Sequence, residues 1–175
     1  MNLVIRPLTA EDAPRYHAFR LEGLRRYPHA FRSSYEDEAQ KPASWAVARL
    51  AASPANPHGF ALGAFDGAEL VGTIVLETTA RAKLRHCADV IGMLVDERYA
   101  GRGVGAALLH QLVARARAIA GLESLHLTVT DGNDRAIALY ERFGFEREGV
   151  ERRVLKLGGR YYDKLHMRLD LRHQP

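Results

Sequence analysis

Cysteine is almost missing. Cys87 is the only one in the 175 residues, which excludes an internal disulfide framework, and no Cys/His grouping has the spacing of a zinc site, so no metal is expected. No apolar run reaches the roughly 18 residues a membrane-spanning helix needs. The opening stretch Met1 to Pro7 lacks the charged lead and apolar core of a secretion signal and reads as a first strand, so a cytoplasmic protein is expected. Aromatic residues are sparse, at 8%, and the basic residues are scattered rather than blocked. The concentrated basic face and aromatic platform that nucleic-acid binding demands are not readable, and no nucleic-acid partner is expected. The net charge of +4 still favours anionic partners, and a phosphate-bearing cofactor accounts for that sign.

What is present is ordinary globular chemistry, with 47% apolar and 26% charged residues in a length that suits one domain over residues 1–175. Leu3 to Arg6 reads as a strand ended by Pro7. Thr9 and Asp12 form a capping-box variant before a helix from about Glu11 to Arg26, striped by Tyr16, Phe19 and Leu24. The polar run from Phe31 to Lys41 reads as a loop or a frayed helix start, and a second helix follows Pro42. From Gly59 the period changes to that of strands. Phe60 to Phe65 and Leu70 to Leu76 flank the hairpin signal Asp66-Gly67, with His86 to Val95 as a third antiparallel partner.

A helix from about Gly103 to Ala120, with Val104, Leu108, Leu112, Ala116 and Ile119 on one face, separates that strand from the next, Leu125 to Thr130. Strand, helix and strand in that order make a right-handed parallel crossover the default. A shorter helix capped by Asn133 or Asp131 presents Ala136, Leu139, Tyr140 and Phe143. Strands follow at Phe145 to Val150, around Val154 to Leu157, and from Tyr161 to Leu171 after a Gly158-Gly159 turn. The expected fold is α+β, a mixed and mostly antiparallel sheet with helices on both faces.

The most informative stretch is Val95 to Ala106, where a strand, a glycine-rich turn and a helix start follow one another. First-turn amides have no intrahelical acceptor and the helix dipole adds about half a positive charge, so the turn suits an anion. Gly101, Gly103 and Gly105 remove the Cβ atoms that would hold a ligand off the backbone. A dinucleotide fingerprint also fits Gly101-x-Gly103-x-x-Ala106. Its acidic residue should end the second strand, however, and Glu123 precedes that strand. No Gly-Lys-Ser/Thr follows, so a P-loop fails.

Residues 95–145 resemble the GNAT N-acetyltransferase superfamily. The family's pyrophosphate loop, [Gln/Arg]-x-x-Gly-x-[Gly/Ala], falls on Ala100-Gly101-Arg102-Gly103-Val104-Gly105. A second signature lies downstream at the usual separation, in Asn133-x-x-Ala136-x-x-Leu139-Tyr140-x-x-x-Gly144-Phe145. Ala100 departs from the pattern and loses a side-chain contact while its backbone still donates, and Arg98 or Arg102 could supply the missing charge. The resemblance implies acetyl-CoA as donor, its pyrophosphate across Arg102, Gly103, Val104, Gly105 and Ala106. Its pantetheine arm pairs beside Met93 and Val95, where an N–H polarises the thioester, and it also touches Asn133.

The resemblance further implies that Tyr140 protonates the leaving thiolate. In those family members that keep a carboxylate base on this strand, it stands at the offset of Asp89, six residues before Val95, which makes Asp89 the base candidate. An unshifted aspartate near pKa 3.9 is a poor direct base at neutral pH, so burial or a relaying water is needed. Cys87 has no identifiable activator, His86 and His126 read as strand-surface residues, and Glu36, Asp37 and Glu38 read as a solvated loop. The function expected is acetyl transfer to a primary amine of a small molecule, such as an amino acid or polyamine, by direct attack in a ternary complex. Acetylation of a protein N-terminus or lysine is the runner-up. A CoA-binding regulatory or aminoacyl-tRNA-directed toxin-like module is the alternative from another class. A homodimer is left open.

Overall fold

The computed structural model describes residues 2–172; Met1, read as part of the first strand, lies outside them. The elements in order are β1 (Leu3–Pro7), α1 (Ala13–Arg26), α2 (Tyr35–Ala39), α3 (Ala43–Leu50), β2 (Phe60–Asp66), β3 (Glu69–Glu77) and β4 (Cys87–Val95). Then come α4 (Val104–Arg117), β5 (Ser124–Thr130), α5 (Asp134–Arg142), β6 (Glu146–Leu157) and β7 (Arg160–Asp170). All seven strands share one mixed sheet in the order β1-β2-β3-β4-β5-β7-β6. It is the mixed, mostly antiparallel sheet expected. Period-two alternation divides β2 and β3 between two cores. Leu62, Ala64, Ile74 and Leu76 pack under α4 and α5, whereas Ala61, Phe65, Leu70 and Val75 pack under α1 and α3.

Local chemistry explains where the helices begin. Asp12 takes both guanidinium nitrogens of Arg6, at 2.7 and 2.8 Å, and the backbone N–H of Thr9 at 2.9 Å. Those donors hold its carboxyl far below the usual range and tie β1 to the start of α1. The capping-box residues form a 3-10 turn, Ala10–Asp12, and the α-helix proper starts at Ala13. The polar run after Phe31 folds into α2 because Ser34 Oγ accepts from the Asp37 N–H at 3.1 Å. Helix α4 ends at Arg117, short of the expected Ala120, and its buried stripe also includes Leu109 and Val113. Helix α5 buries Ile137 beside Tyr140.

The largest difference lies at the C-terminal end. The two expected stretches from Phe145 to Leu157 are one strand, β6, carried through shifts in register at Arg147/Gly149 and Glu151/Leu155. Arg153 adopts φ 55° between them. Irregular registers of this kind break the alternation that sequence reading relies on. Strand β7 then inserts between β5 and β6.

One topological detail makes the site. Strands β4 and β5 pair in parallel only at Cys87↔Ser124, Ala88↔Leu125 and Asp89↔His126. Beyond Asp89, β4 keeps only β3, while β5 stays paired with β7 through Thr130. The strands therefore part, and the second half of β4 has one open hydrogen-bonding edge. A bulge shifts β4 against β3 between Thr73 and Val75. It is centred on Gly92 at φ 59°, a left-handed conformation that suits glycine. Its carbonyl accepts from Thr73 Oγ1 at 3.1 Å.

Candidate active site

The two helix starts nearest the opening are finished differently. Helix α5 is capped by Asn133, whose Oδ1 accepts from the Ala136 N–H at 3.3 Å. Helix α4 begins after Gly103, in the left-handed region at φ 82°, with no side-chain cap. The first intrahelical bond there runs from the Ala107 N–H to the Gly103 carbonyl, at 2.9 Å. The amides of Val104, Gly105 and Ala106 therefore point out of the helix end without helical acceptors. Gly105 also allows close packing, since a Cβ there would lie 3.0 Å from Met93 Cε and 3.3 Å from Leu139 Cδ2. A turn so built offers an anion backbone donors and a favourable dipole.

The arginines near that turn are engaged to different degrees. Arg98 is spent on carboxylates, with Asp96 and Glu69 each 2.5 Å from Nη2. Arg102 is exposed, 5.5 Å from the centroid of the Tyr99 ring. Arg135, in the first turn of α5, was not anticipated. Its Nη2 stands 3.9 Å from the point a Gly101 Cβ would occupy, so its guanidinium lies over the glycine turn. Its only sequence signal is its place two residues after Asn133.

Tyr140 and Met93 meet at the opening. The Tyr140 hydroxyl donates to the Met93 sulfur at 3.3 Å, and the ring meets Phe145 edge-on with centroids 5.7 Å apart. Burial pushes the phenol up to about 12, so at neutral pH it keeps its proton. Val95 is half-buried against the same core. The structure thus brings together Met93, Val95, Gly105 and Tyr140 from β4, α4 and α5. Asn133 stands at the start of α5, where its side chain serves as the cap.

Asp89 lies apart, at the point where β4 and β5 separate, four residues and about 13 Å of extended strand before Met93. Its side chain is exposed, yet crowding by its surroundings raises its pKa above the ordinary value, a rise that the nearby His126 opposes. His126 is its cross-strand partner, with the ring fixed by Ser124 Oγ at 3.0 Å. Ser124 Oγ also reaches the Cys87 sulfur at 3.4 Å. Sequence reading left His126 on the strand surface because its partner lies on another strand, which only the parallel register reveals. A carboxylate with raised pKa next to an imidazole can pass a proton through water.

Lys164 is a second residue that sequence reading missed. Only 1% exposed, its ammonium donates to the Ala30 carbonyl at 2.7 Å and to Thr130 Oγ1 at 2.9 Å. Thr130 Oγ1 in turn donates to the His29 carbonyl at 2.7 Å. Burial pulls the Lys164 pKa down to about 8. It lies on the face of β7 opposite Leu165, Met167 and Leu169, and only the fold shows that it fastens the loop after α1 to Thr130 at the end of β5.

An open strand edge beside an uncapped helix start suits a long ligand with an anionic head and an amide-bearing arm, the shape of coenzyme A. The chain belongs to the acetyltransferase (GNAT) family, whose acetyl-CoA-dependent members it matches over residues 23–145. It is 31% identical to the L-amino acid N-acetyltransferase AaaT of Escherichia coli over 57% of this chain and about 60% of that relative's length. It is 36% identical to the N-alpha-acetyltransferase RimI of Mycobacterium tuberculosis over 66% of this chain and 70% of that one. A GNAT-family acetyltransferase from Streptococcus pneumoniae superposes with a TM-score of 0.85 at 25% identity, covering 97% of this chain and 99% of that one.

Proposed function

We propose that the chain transfers the acetyl group of acetyl-CoA to a primary amine of a small molecule, an amino acid or a polyamine, by direct attack in a ternary complex. The observation that carries this reading is the buried Tyr140 hydroxyl on the Met93 sulfur, beside the open edge of β4. The pyrophosphate lies across the turn from Arg102 to Ala106, taking the amides from Gly103 on because the Arg102 N–H is already donated to the Tyr99 carbonyl at 3.2 Å, with Arg135 above it. The pantetheine arm adds to Met93 and Val95 as a further strand would, and an N–H there polarises the thioester carbonyl. Asp89 accepts the amine proton through a chain of waters, with His126 beside it.

Tyr140 then meets the departing sulfur. A phenol near 12 facing a thiolate of ordinary basicity, about 8.5, gives up its proton uphill. Its part is to stabilise the developing thiolate by a donated hydrogen bond, with full transfer following as charge accumulates. The test is a thiol-release assay with acetyl-CoA across amino acids, polyamines and peptides, each product identified by mass. The expected result is an N-acetylated small amine. Absence of amine-dependent CoA release across the panel overturns the reading. The likeness to the mycobacterial N-alpha-acetyltransferase supports a second reading, acetylation of a protein N-terminus, which a preference for peptides would favour.

A further inference from the structure

We infer that Thr73 is a positioning residue for acetyl transfer: from β3, its hydroxyl fixes the Gly92–Met93 peptide so that the Met93 N–H faces the thioester carbonyl. This rests on the acetyltransferase reading and deepens it, since that reading places the donor arm along β4 without saying what aims the amide.

The backbone sets the direction in which that amide must point. Just past β4 the Asp96 N–H donates to the Val71 carbonyl at 2.9 Å, so Asp96 turns its polar groups toward β3. Leu94, two residues back and opposite Thr73, does the same. Val95 and Met93 then turn theirs toward the edge that β5 has left. The bulge at Gly92 interrupts the pattern immediately before Met93. Where a ladder is disrupted in this way, its hydrogen bonds no longer hold each peptide plane in place. A side chain has to do so.

Thr73 is placed for that task. Buried at 2% exposure among Val71, Ile74, Val75 and Leu76, it donates its hydroxyl to the Gly92 carbonyl at 3.1 Å. A valine would fill the same apolar strand with no polar group to satisfy, so the hydroxyl's use lies in this bond. The Gly92 carbonyl and the Met93 N–H belong to one trans peptide and point in opposite directions. Holding the carbonyl on the β3 side therefore holds the N–H on the open side, where the donor arm lies. A donor is worth most to a developing oxyanion when it is aimed before the charge appears.

The bulge is also walled from α1. Val75 Cγ2 and Arg20 Nη1 stand 3.6 and 3.7 Å from the point a Gly92 Cβ would occupy. The Arg20 guanidinium is itself locked by Glu38, from Nε to Oε2 at 2.6 Å and from Nη2 to Oε1 at 2.5 Å. These contacts limit how far the bulge can move. The direction of the peptide within it is set by the Thr73 hydroxyl.

The experiment compares the wild type with Thr73→Val, which keeps the shape and removes the hydroxyl, and Thr73→Ser, which keeps the hydroxyl. The probe is the Met93 amide proton in protein made with nitrogen-isotope-labelled methionine. With three methionines in the chain the spectrum holds few signals, and Met93→Leu identifies the one required. In the wild type, acetyl-CoA is expected to move that proton further downfield than CoA, which lacks the acetyl carbonyl. In Thr73→Val the difference should shrink and kcat should fall about tenfold, less than the loss of a whole oxyanion donor costs. The calorimetric dissociation constant for acetyl-CoA should stay within about threefold. Thr73→Ser should retain most of both the shift and kcat. An unchanged shift in Thr73→Val overturns the proposal whatever its kcat, and so does a Thr73→Ser variant that falls as far, since packing would then be the cause. A wild-type Met93 amide that answers acetyl-CoA and CoA equally overturns it at once while leaving the acetyltransferase reading intact. Failure of the wild type to bind acetyl-CoA takes down both. Should Thr73→Val fail to melt cooperatively, Thr73→Ala takes its place under the same criteria.

Discussion

The two proposed walls of the site are built from different material. The donor wall is backbone: an uncapped α4 start after Gly103 and the open edge of β4. The cleft between the loop after α1 and the last hairpin is lined by side chains: Arg25 from α1, Tyr35 from α2, Leu155 from β6 and Tyr162 from β7. A pyrophosphate and an amide-bearing arm are the same in every turnover, so one glycine-rich turn and one open strand edge suffice to receive them. An acceptor is recognised by where its charges lie, which requires groups from opposite ends of the chain. Substitutions on one wall should therefore change affinity for one ligand and leave the other ligand's affinity alone, and those at the meeting point should change turnover.

The largest effect is expected at the meeting point. Tyr140→Phe removes the hydroxyl on Met93 while keeping the ring and its edge contact with Phe145. Turnover should fall by roughly a hundredfold or more, with acetyl-CoA affinity changed far less, read from steady-state kinetics beside a calorimetric titration of acetyl-CoA. Equal turnover would remove Tyr140 from the chemistry.

Asp89→Asn should follow, with a loss in kcat/KM of about tenfold to a hundredfold at neutral pH. The wild-type acid limb should sit above an ordinary aspartate's value, because crowding by its surroundings raises Asp89, and the variant should flatten that limb. Stability should move the other way. A carboxyl whose folded pKa is raised contributes stability below its unfolded value near 3.8 and loses it as pH rises through the folded value. At neutral pH the charged aspartate is the costly form, so the asparagine variant should melt no lower than the wild type. A normal acid limb in the variant would assign the base elsewhere.

What was legible in the sequence follows the same division. The glycine turn, the Asn133 cap and Tyr140 were readable because each lies in a short contiguous pattern whose physics is local: a left-handed glycine, a side-chain cap, a helical face. The sheet was readable up to β5 because alternation and turn residues are local as well. The continuous β6 was not, since its shifts in register erase the alternation. His126, Lys164 and Arg135 were not readable as site residues because each acquires its meaning from a partner on another element: Asp89 on β4, the loop after α1, and Gly101.

The smallest effect sharpens the donor wall, where Ala100 leaves a family contact unfilled. Arg98 was a candidate to replace it, but its guanidinium is held by Asp96 and Glu69 at 2.5 Å. Releasing it for a phosphate would break both pairs. Arg135 has no such engagement among the described residues and stands over Gly101. Arg135→Ala should therefore weaken acetyl-CoA binding a few-fold, about what one solvent-exposed charge contributes to a phosphate, and the loss should shrink as salt is raised. Arg98→Ala should leave the affinity unchanged. A loss confined to Arg98→Ala would mean that the ion pairs open when the donor binds. No loss in either variant, nor in Arg102→Ala, would mean that the α4 amides carry the pyrophosphate without help from a cation, making the donor wall backbone throughout.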